Sequence, residues 1–131
     1  MSKFYAIKMA EEVASHPNIL KESFFFGLFH HVKYKPTGSK IESFSNFYKD
    51  TDAQLFKNLI ESKEGQLESN VASLKEAYCT DDSSFRLDIC VSKDGQFIAM
   101  QLNHIADDTL THITPIRYFE GTEAITVDKI F

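Results

Sequence analysis

Few residues in this chain are placed to do chemistry, and most of them are basic or imidazole-bearing. The stretch KYKPTGSKIESF, Lys33 to Phe44, sets Lys35 directly before a Pro36–Gly38 turn, and TPIRYF, Thr114 to Phe119, carries Arg117 two residues after Pro115. An ammonium and a guanidinium hold anions; neither can take a proton from a carbon acid at neutral pH. His104 is the candidate for proton transfer, since imidazole titrates near neutrality. Strand parity puts it with Ile98, Met100 and Leu102, opposite Phe97, Ala99, Gln101 and Asn103, and His112 on the neighbouring strand could be its partner. Plainer readings stand beside these: Lys35 as a solvated turn residue, Arg117 paired with Asp88 or Asp128, His104 as a hydrogen-bonded core or rim side chain. His30 and His31 read as helix-end residues near the negative end of the helix dipole. No His, Cys and carboxylate spacing matches a metal site, and there is no Gly-rich phosphate loop or nucleophile elbow. Neither a metal nor a cofactor is expected.

The elements that must position these residues divide into helices first and strands after. Phe4, Ile7, Met9 and Val13 form a helical stripe that ends at Ser15–Asn18, and the spacing then predicts a core helix over about 19–29. His31 to Lys35 alternates like a short strand closed by Pro36 and Gly38. From Ile41 to Lys63 the apolar residues fit two helices, with Asp50-Thr51-Asp52 as break and fresh N-cap, and Gln66 to Tyr78 reads as a further amphipathic helix. After Thr80–Ser84 the period becomes two. Phe85 to Val91 and Gln96 to Ile105 form a hairpin about Ser92–Gly95, and Leu110 to Phe119 and Ala124 to Phe131 complete a meander of four strands. That order is α+β, in a single domain spanning 1–131.

A chain of 131 residues that is 43% hydrophobic and 13% aromatic can build a core without staples. Its net charge of -5 is spread along the sequence with no basic stripe, which argues against nucleic acid as a partner. The longest apolar run, Phe24 to Phe29, falls far short of the roughly 20 residues of a membrane helix, and the N-terminus lacks the pattern of a signal peptide. The expectation is a cytoplasmic protein with no membrane partner, whose Cys79 and Cys90 are reduced and structural.

This order of elements resembles the nuclear transport factor 2-like superfamily (cystatin-like in fold), and within it the ketosteroid isomerase and SnoaL-like branches. The matching residues are Leu28-Phe29 at the end of the second helix, Lys35-Pro36-Thr37-Gly38 at the turn, Ile41 and Phe44 opening the third helix, and Thr114 to Phe119 in the penultimate strand. With the register from Gln96 to Phe119 they span about 80 residues; the stretch Asp50 to Ser84 is longer than in the isomerases. The resemblance implies N-terminal helices packed on a curved antiparallel sheet, with a cone-shaped pocket between them. It also implies a general-base aspartate before the Pro-x-Gly turn and a neutral aspartic acid two residues after the proline of the later strand. Lys35 and Arg117 stand at those positions, and the oxyanion tyrosine has no counterpart near Ala10 or Val13. Ketosteroid isomerase chemistry is therefore not expected.

On that resemblance Lys35 and Arg117 would face one cone and bind an anionic small molecule, with His104 at the rim and Phe44, Tyr48, Met100, Leu102 and Phe119 as apolar lining. The leading expectation is a small-molecule-binding protein, with SnoaL-like lyase, cyclase or isomerase chemistry left open and no catalytic residue assigned beyond the candidate His104. The rival is a non-catalytic dimeric interaction module whose pocket is filled by its own aromatics, from Phe24–Phe26 and Phe44, Phe47 and Tyr48. A homodimer through the sheet is expected, because Phe97 and Ala99 lie opposite Met100 and Leu102 on a face that needs cover.

Overall fold

The computed structural model describes residue 9, residues 11–24 and residues 29–131. Within them the chain is α+β, a strongly curled antiparallel sheet carrying a few short helices. A helical turn through residues 11–14 leads into β1 (Ile19–Phe24), β2 (Phe29–Tyr34) and β3 (Ser39–Phe47). A 3-10 turn at Asp50–Asp52 opens α1 (Ala53–Ile60), followed by α2 (Leu67–Leu74), the long hairpin β4 (Phe85–Ser92) and β5 (Phe97–Ala106), then β6 (Thr109–His112), β7 (Arg117–Glu120) and α3 (Thr122–Asp128). The strand order is β1-β2-β3-β4-β5-β6, with β7 also pairing to β5.

Four segments differ from the sequence reading. The helix expected over 19–29 is, in its described residues, strand β1 and the first residue of β2, and that expected from Ile41 is strand β3. Ile41, Phe44 and Phe47 imitate a helical repeat, yet Ser43 and Ser45 are the informative residues, bonded on one face to Cys90 and Asp88. The last strand, expected over 124–131, is helix α3, where Ala124 and Val127, three apart, are buried despite the β-branched composition. The expected strand over 110–119 is two strands. Thr114 takes the Leu102 N–H on its own hydroxyl, 3.1 Å, and Pro115 has no N–H to give a ladder, so pairing with β5 lapses until Arg117.

The hairpin turns follow local chemistry. Asp107 and Asp108 both take positive φ in the two-residue β5–β6 connection, a conformation aspartate tolerates. Between β4 and β5, Gly95 (φ 71°) makes the turn, while Asp94 accepts from the Ser92 hydroxyl at 2.6 Å and the Gln96 N–H at 3.1 Å. The curl is tied at its ends: Glu120 of β7 accepts from Asn18, just before β1, at 2.6 Å and from the Tyr34 hydroxyl of β2 at 2.9 Å.

The sheet has a core on each face. Phe85, Leu87 and Ile89 of β4 and Ile98, Met100 and Leu102 of β5 pack with Phe119 against Tyr48, α1, α2 and α3. On the other face, Cys90, Phe97 and Ala99 pack with Met9, Val13, Ile19 and Tyr34. Phe97 and Ala99, expected on a face that needs cover, are thus covered by the chain's own N-terminal turn and β1–β2 hairpin. No helix of the described residues is long and apolar enough to cross a membrane. Both cysteines are free, Cys90 buried and Cys79 exposed.

Candidate functional site

Strand period decides which side chains meet. The face of β4 and β5 that carries Cys90, Phe97 and Ala99 changes character one residue pair further along. Asp88 lies opposite Gln101, Arg86 opposite Asn103, and Asn103 opposite His112 of β6. Five polar side chains thus follow an apolar cluster on one continuous surface. Arg86, Asp88 and Asn103 are 0%, 2% and 1% exposed.

Burial at that depth demands partners. Arg86 and Asp88, two apart on β4, face each other side by side, with Nε 2.7 Å from Oδ1 and Nη2 donating to Oδ2 at 2.9 Å. Oδ1 also accepts from the Ser45 hydroxyl at 2.5 Å, and Oδ2 from Asn103 Nδ2 at 2.6 Å. Asn103 Oδ1 in turn lies 2.6 Å from His112 Nδ1. Gln101, at 7% exposure, gives its Nε2 to Thr114 O at 3.2 Å. Cys90 beside this network has its thiol pushed up by burial and by the Asp88 charge, against the bond from Ser43, so it stays a neutral packing group.

A cavity of about 510 Å^3 opens above these residues. Asp88, Gln101, Asn103, Leu110 and His112 form its floor and one wall; Met9, Glu11, Glu12 and Ser15 of the N-terminal helical turn form the other. The helical turn reaches this position because Met9 and Val13 are held in the apolar half of the same face, and His16 packs its ring 4.6 Å from Tyr118 and 5.5 Å from Phe97. Glu12 bears on Tyr118, whose phenol is raised mainly by burial and then by that carboxylate.

The residues expected to form a site do not converge. Lys35 is exposed in the β2–β3 turn. Arg117 lies on the helix-bearing face, opposite Met100 in register, with its guanidinium 5.0 Å from the Phe119 ring centre and donating to Ile60 O at 3.3 Å. Tyr34, beside Lys35, packs its ring on Phe97 on the other face, and Lys35 is not among the residues lining the cavity that Arg117 borders. Arg117 instead borders a smaller cavity of about 320 Å^3 with Lys63, Glu64 and Glu123, where the charges offset. It pairs with neither Asp88, which belongs to Arg86, nor Asp128. His104 is half-buried opposite Phe85 and Thr111, on the face away from His112, so the two imidazoles are not partners. Tyr48, Met100, Leu102 and Phe119 are buried in the core under the helices, and Phe44 is exposed, 6.0 Å edge-on to Phe131. His30 and His31 lie in strand β2, not at a helix end. Phe25 and Phe26 fall outside the described residues.

Arg86, Asp88, Asn103 and His112 were the residues to look for. Opposite charges two apart inside an alternating strand, followed by Gln101 and Asn103 at the same parity on its hairpin partner, is a pattern visible in the sequence. It marks a polar patch on one buried face. No family model matches this chain, and no curated protein or solved structure matches it. Among the described residues no cluster of His, Cys, Asp and Glu could hold a metal ion.

Proposed function

We propose that this chain binds a small polar molecule in the cavity between its N-terminal helical turn and the polar half of the β4–β5 surface. One observation carries the reading: the Asp88 carboxylate, held in a fully buried ion pair with Arg86 and bonded by three side chains in all, lines a cavity whose size lies in the usual range for ligand sites, roughly 300–1,000 Å^3. Such a floor holds its polar atoms in fixed directions, which is what recognition requires of a site. With Lys35 exposed in a turn and Arg117 bonded to Ile60 O beside a separate cavity, the argument for an anionic ligand loses its paired cations.

The nuclear transport factor 2-like resemblance belongs to the same proposal. A curled antiparallel sheet that follows an N-terminal helical segment, with a cavity between them, supports it; strands at 19–24 and 39–47, where that family would place helices, weigh against close kinship. The interaction-module alternative draws on the helix-side core, which Tyr48, Phe56, Phe85 and Phe119 fill with aromatic rings. A soluble-fragment screen followed by backbone amide NMR distinguishes the readings. Binders should perturb the amides of Asp88, Gln101, Asn103 and His112. Perturbations that cluster elsewhere, or a screen with no binder at these residues, would overturn the assignment.

A further inference from the structure

We propose that the cavity selects an aliphatic primary ammonium, and that His112 Nε2 is an acceptor for it, with Glu11 and Glu12 supplying the counter-charge. The inference rests on the ligand-site reading above and deepens it. Its starting point is a chain of hydrogen bonds that can run in only one direction. Arg86 is a permanent donor, and the Asp88 carboxylate it holds can only accept. Asn103 must therefore turn its amide nitrogen to Asp88 Oδ2, 2.6 Å away. That fixes Asn103 Oδ1 toward His112. A carbonyl oxygen also only accepts, so His112 Nδ1 carries the proton in its 2.6 Å bond, and the neutral ring keeps its lone pair on Nε2.

The same reasoning extends along the cavity wall. Gln101 points Nε2 at Thr114 O, which leaves Oε1 as the other end of the amide. The Ser15 hydroxyl is directed at Glu12 O, 2.6 Å away. The side-chain donors of the lining are aimed at the protein itself. The atoms of the lining side chains left over for a ligand are acceptors: an imidazole nitrogen, an amide oxygen and the carboxylates of Glu11 and Glu12. Among the described residues no lysine or arginine lines the cavity, and the Arg86 guanidinium is bonded to Asp88. An ammonium group, with three donors and a positive charge, matches that set; a carboxylate or phosphate finds neither donor nor cation among the described residues. The aliphatic part of the ligand has Met9 and Leu110 to pack on.

Two measurements on the full chain test this. Imidazole nitrogen-15 NMR of the wild-type protein should show His112 as the Nδ1-protonated neutral tautomer. Finding the proton on Nε2 in the neutral ring would overturn the role of His112 whatever the ligand. Amide chemical-shift titrations with n-butylamine and with butyrate test the selectivity. Butylamine should perturb Gln101, Asn103 and His112 with butyrate silent, and its affinity should fall roughly tenfold or more in the Glu11→Gln/Glu12→Gln variant and in His112→Phe. Perturbation of the cavity by butyrate rather than butylamine would sink the ammonium selectivity while leaving the site standing. Silence toward both, together with no cavity binder in the fragment screen, would sink the site itself. His112 is exposed and Glu11 and Glu12 lie on the surface, so these variants should keep the wild-type fold, which their amide spectra report directly.

Discussion

Replacing Arg86 by methionine removes one half of the buried pair while keeping most of the side chain's volume. Asp88 would then remain ionised at 2% exposure with Ser45 and Asn103 as its donors but no cation, or take up a proton and lose the charge that aligns Asn103. Breaking a buried ion pair on one side costs about 3–5 kcal/mol, because the stranded charge has been taken out of water with nothing in return. An unfolding entropy of about 2.1 cal/mol/K per residue over 131 residues converts each kcal/mol into about 3.6 °C, so Arg86→Met should melt about 11–18 °C below wild type. Circular dichroism melts, with urea unfolding as a check on the free energy, measure it. Asp88→Asn should fall in the same range, since it leaves the guanidinium stranded instead. The double variant Arg86→Met/Asp88→Leu should lose less than the two singles together, as expected when both members of one interaction are removed. An Arg86→Met protein within about 1 kcal/mol of wild type would refute the reasoning, for it would mean that water already reaches the pair.

Two further perturbations probe the surroundings. Tyr34 and Tyr48 are each pushed up from 10.0 to about 12, Tyr34 by burial and by its bond and proximity to Glu120, Tyr48 by burial and by Cys79 against a counteracting bond from Asn46. The folded value lies above the unfolded one, so their contribution to stability is intact below pH 10 and is lost as pH rises toward 12. Phenolate absorbance in wild type, Tyr34→Phe and Tyr48→Phe should assign the late-titrating groups, and complete ionisation of both by pH about 11 in the folded protein would contradict their burial. Phe97→Ala should cost about 3–5 kcal/mol, the usual range for emptying a buried aromatic site. Because Met9, Val13 and Tyr34 of the same chain cover that ring, the loss should not vary with protein concentration; a concentration-dependent loss would point to a second copy as the cover.

The β4–β5 hairpin was legible because its signals agree: period-two alternation, a Lys-Asp-Gly turn, and strand lengths long enough to show both faces. The helices at 53–60 and 67–74 were legible for the same reason, through buried Phe56, Leu59 and Ile60 and then Val71 and Leu74 at helical spacing. Where the reading failed, the period was ambiguous. Over residues 19–22 of β1 Ile19 is buried while Leu20, Lys21 and Glu22 are exposed, too short a pattern to show a period of two. At 122–128 tertiary packing overrides propensity: Ile125 faces solvent, while Ala124 and Val127 reach the core. The candidate site was missed for a different reason. The sequence reading sets Asp88 as a partner for Arg117 on a distant strand, whereas its pairing with Arg86 is visible only when i, i+2 neighbours are taken as one face.

The polar network also explains why β4 and β5 pair in one register. A slip by one residue would send Arg86, Asp88, Gln101 and Asn103 to the face held by α1 and α2, and Leu87, Met100 and Leu102 toward the cavity. An apolar strand pair buried on both sides would resist that slip only weakly, since either face would be acceptable under the helices. Here one face carries a charge pair whose carboxylate is met by Ser45 and Asn103, below a cavity bordered by Glu11 and Glu12. The residues that forbid the wrong register are therefore the ones that shape the cavity floor. On the proposed function, binding and folding would draw on the same groups: a ligand docked against Asn103 and His112 would stabilise the β5–β6 hairpin it touches, and substitutions in the floor should lower stability and affinity together.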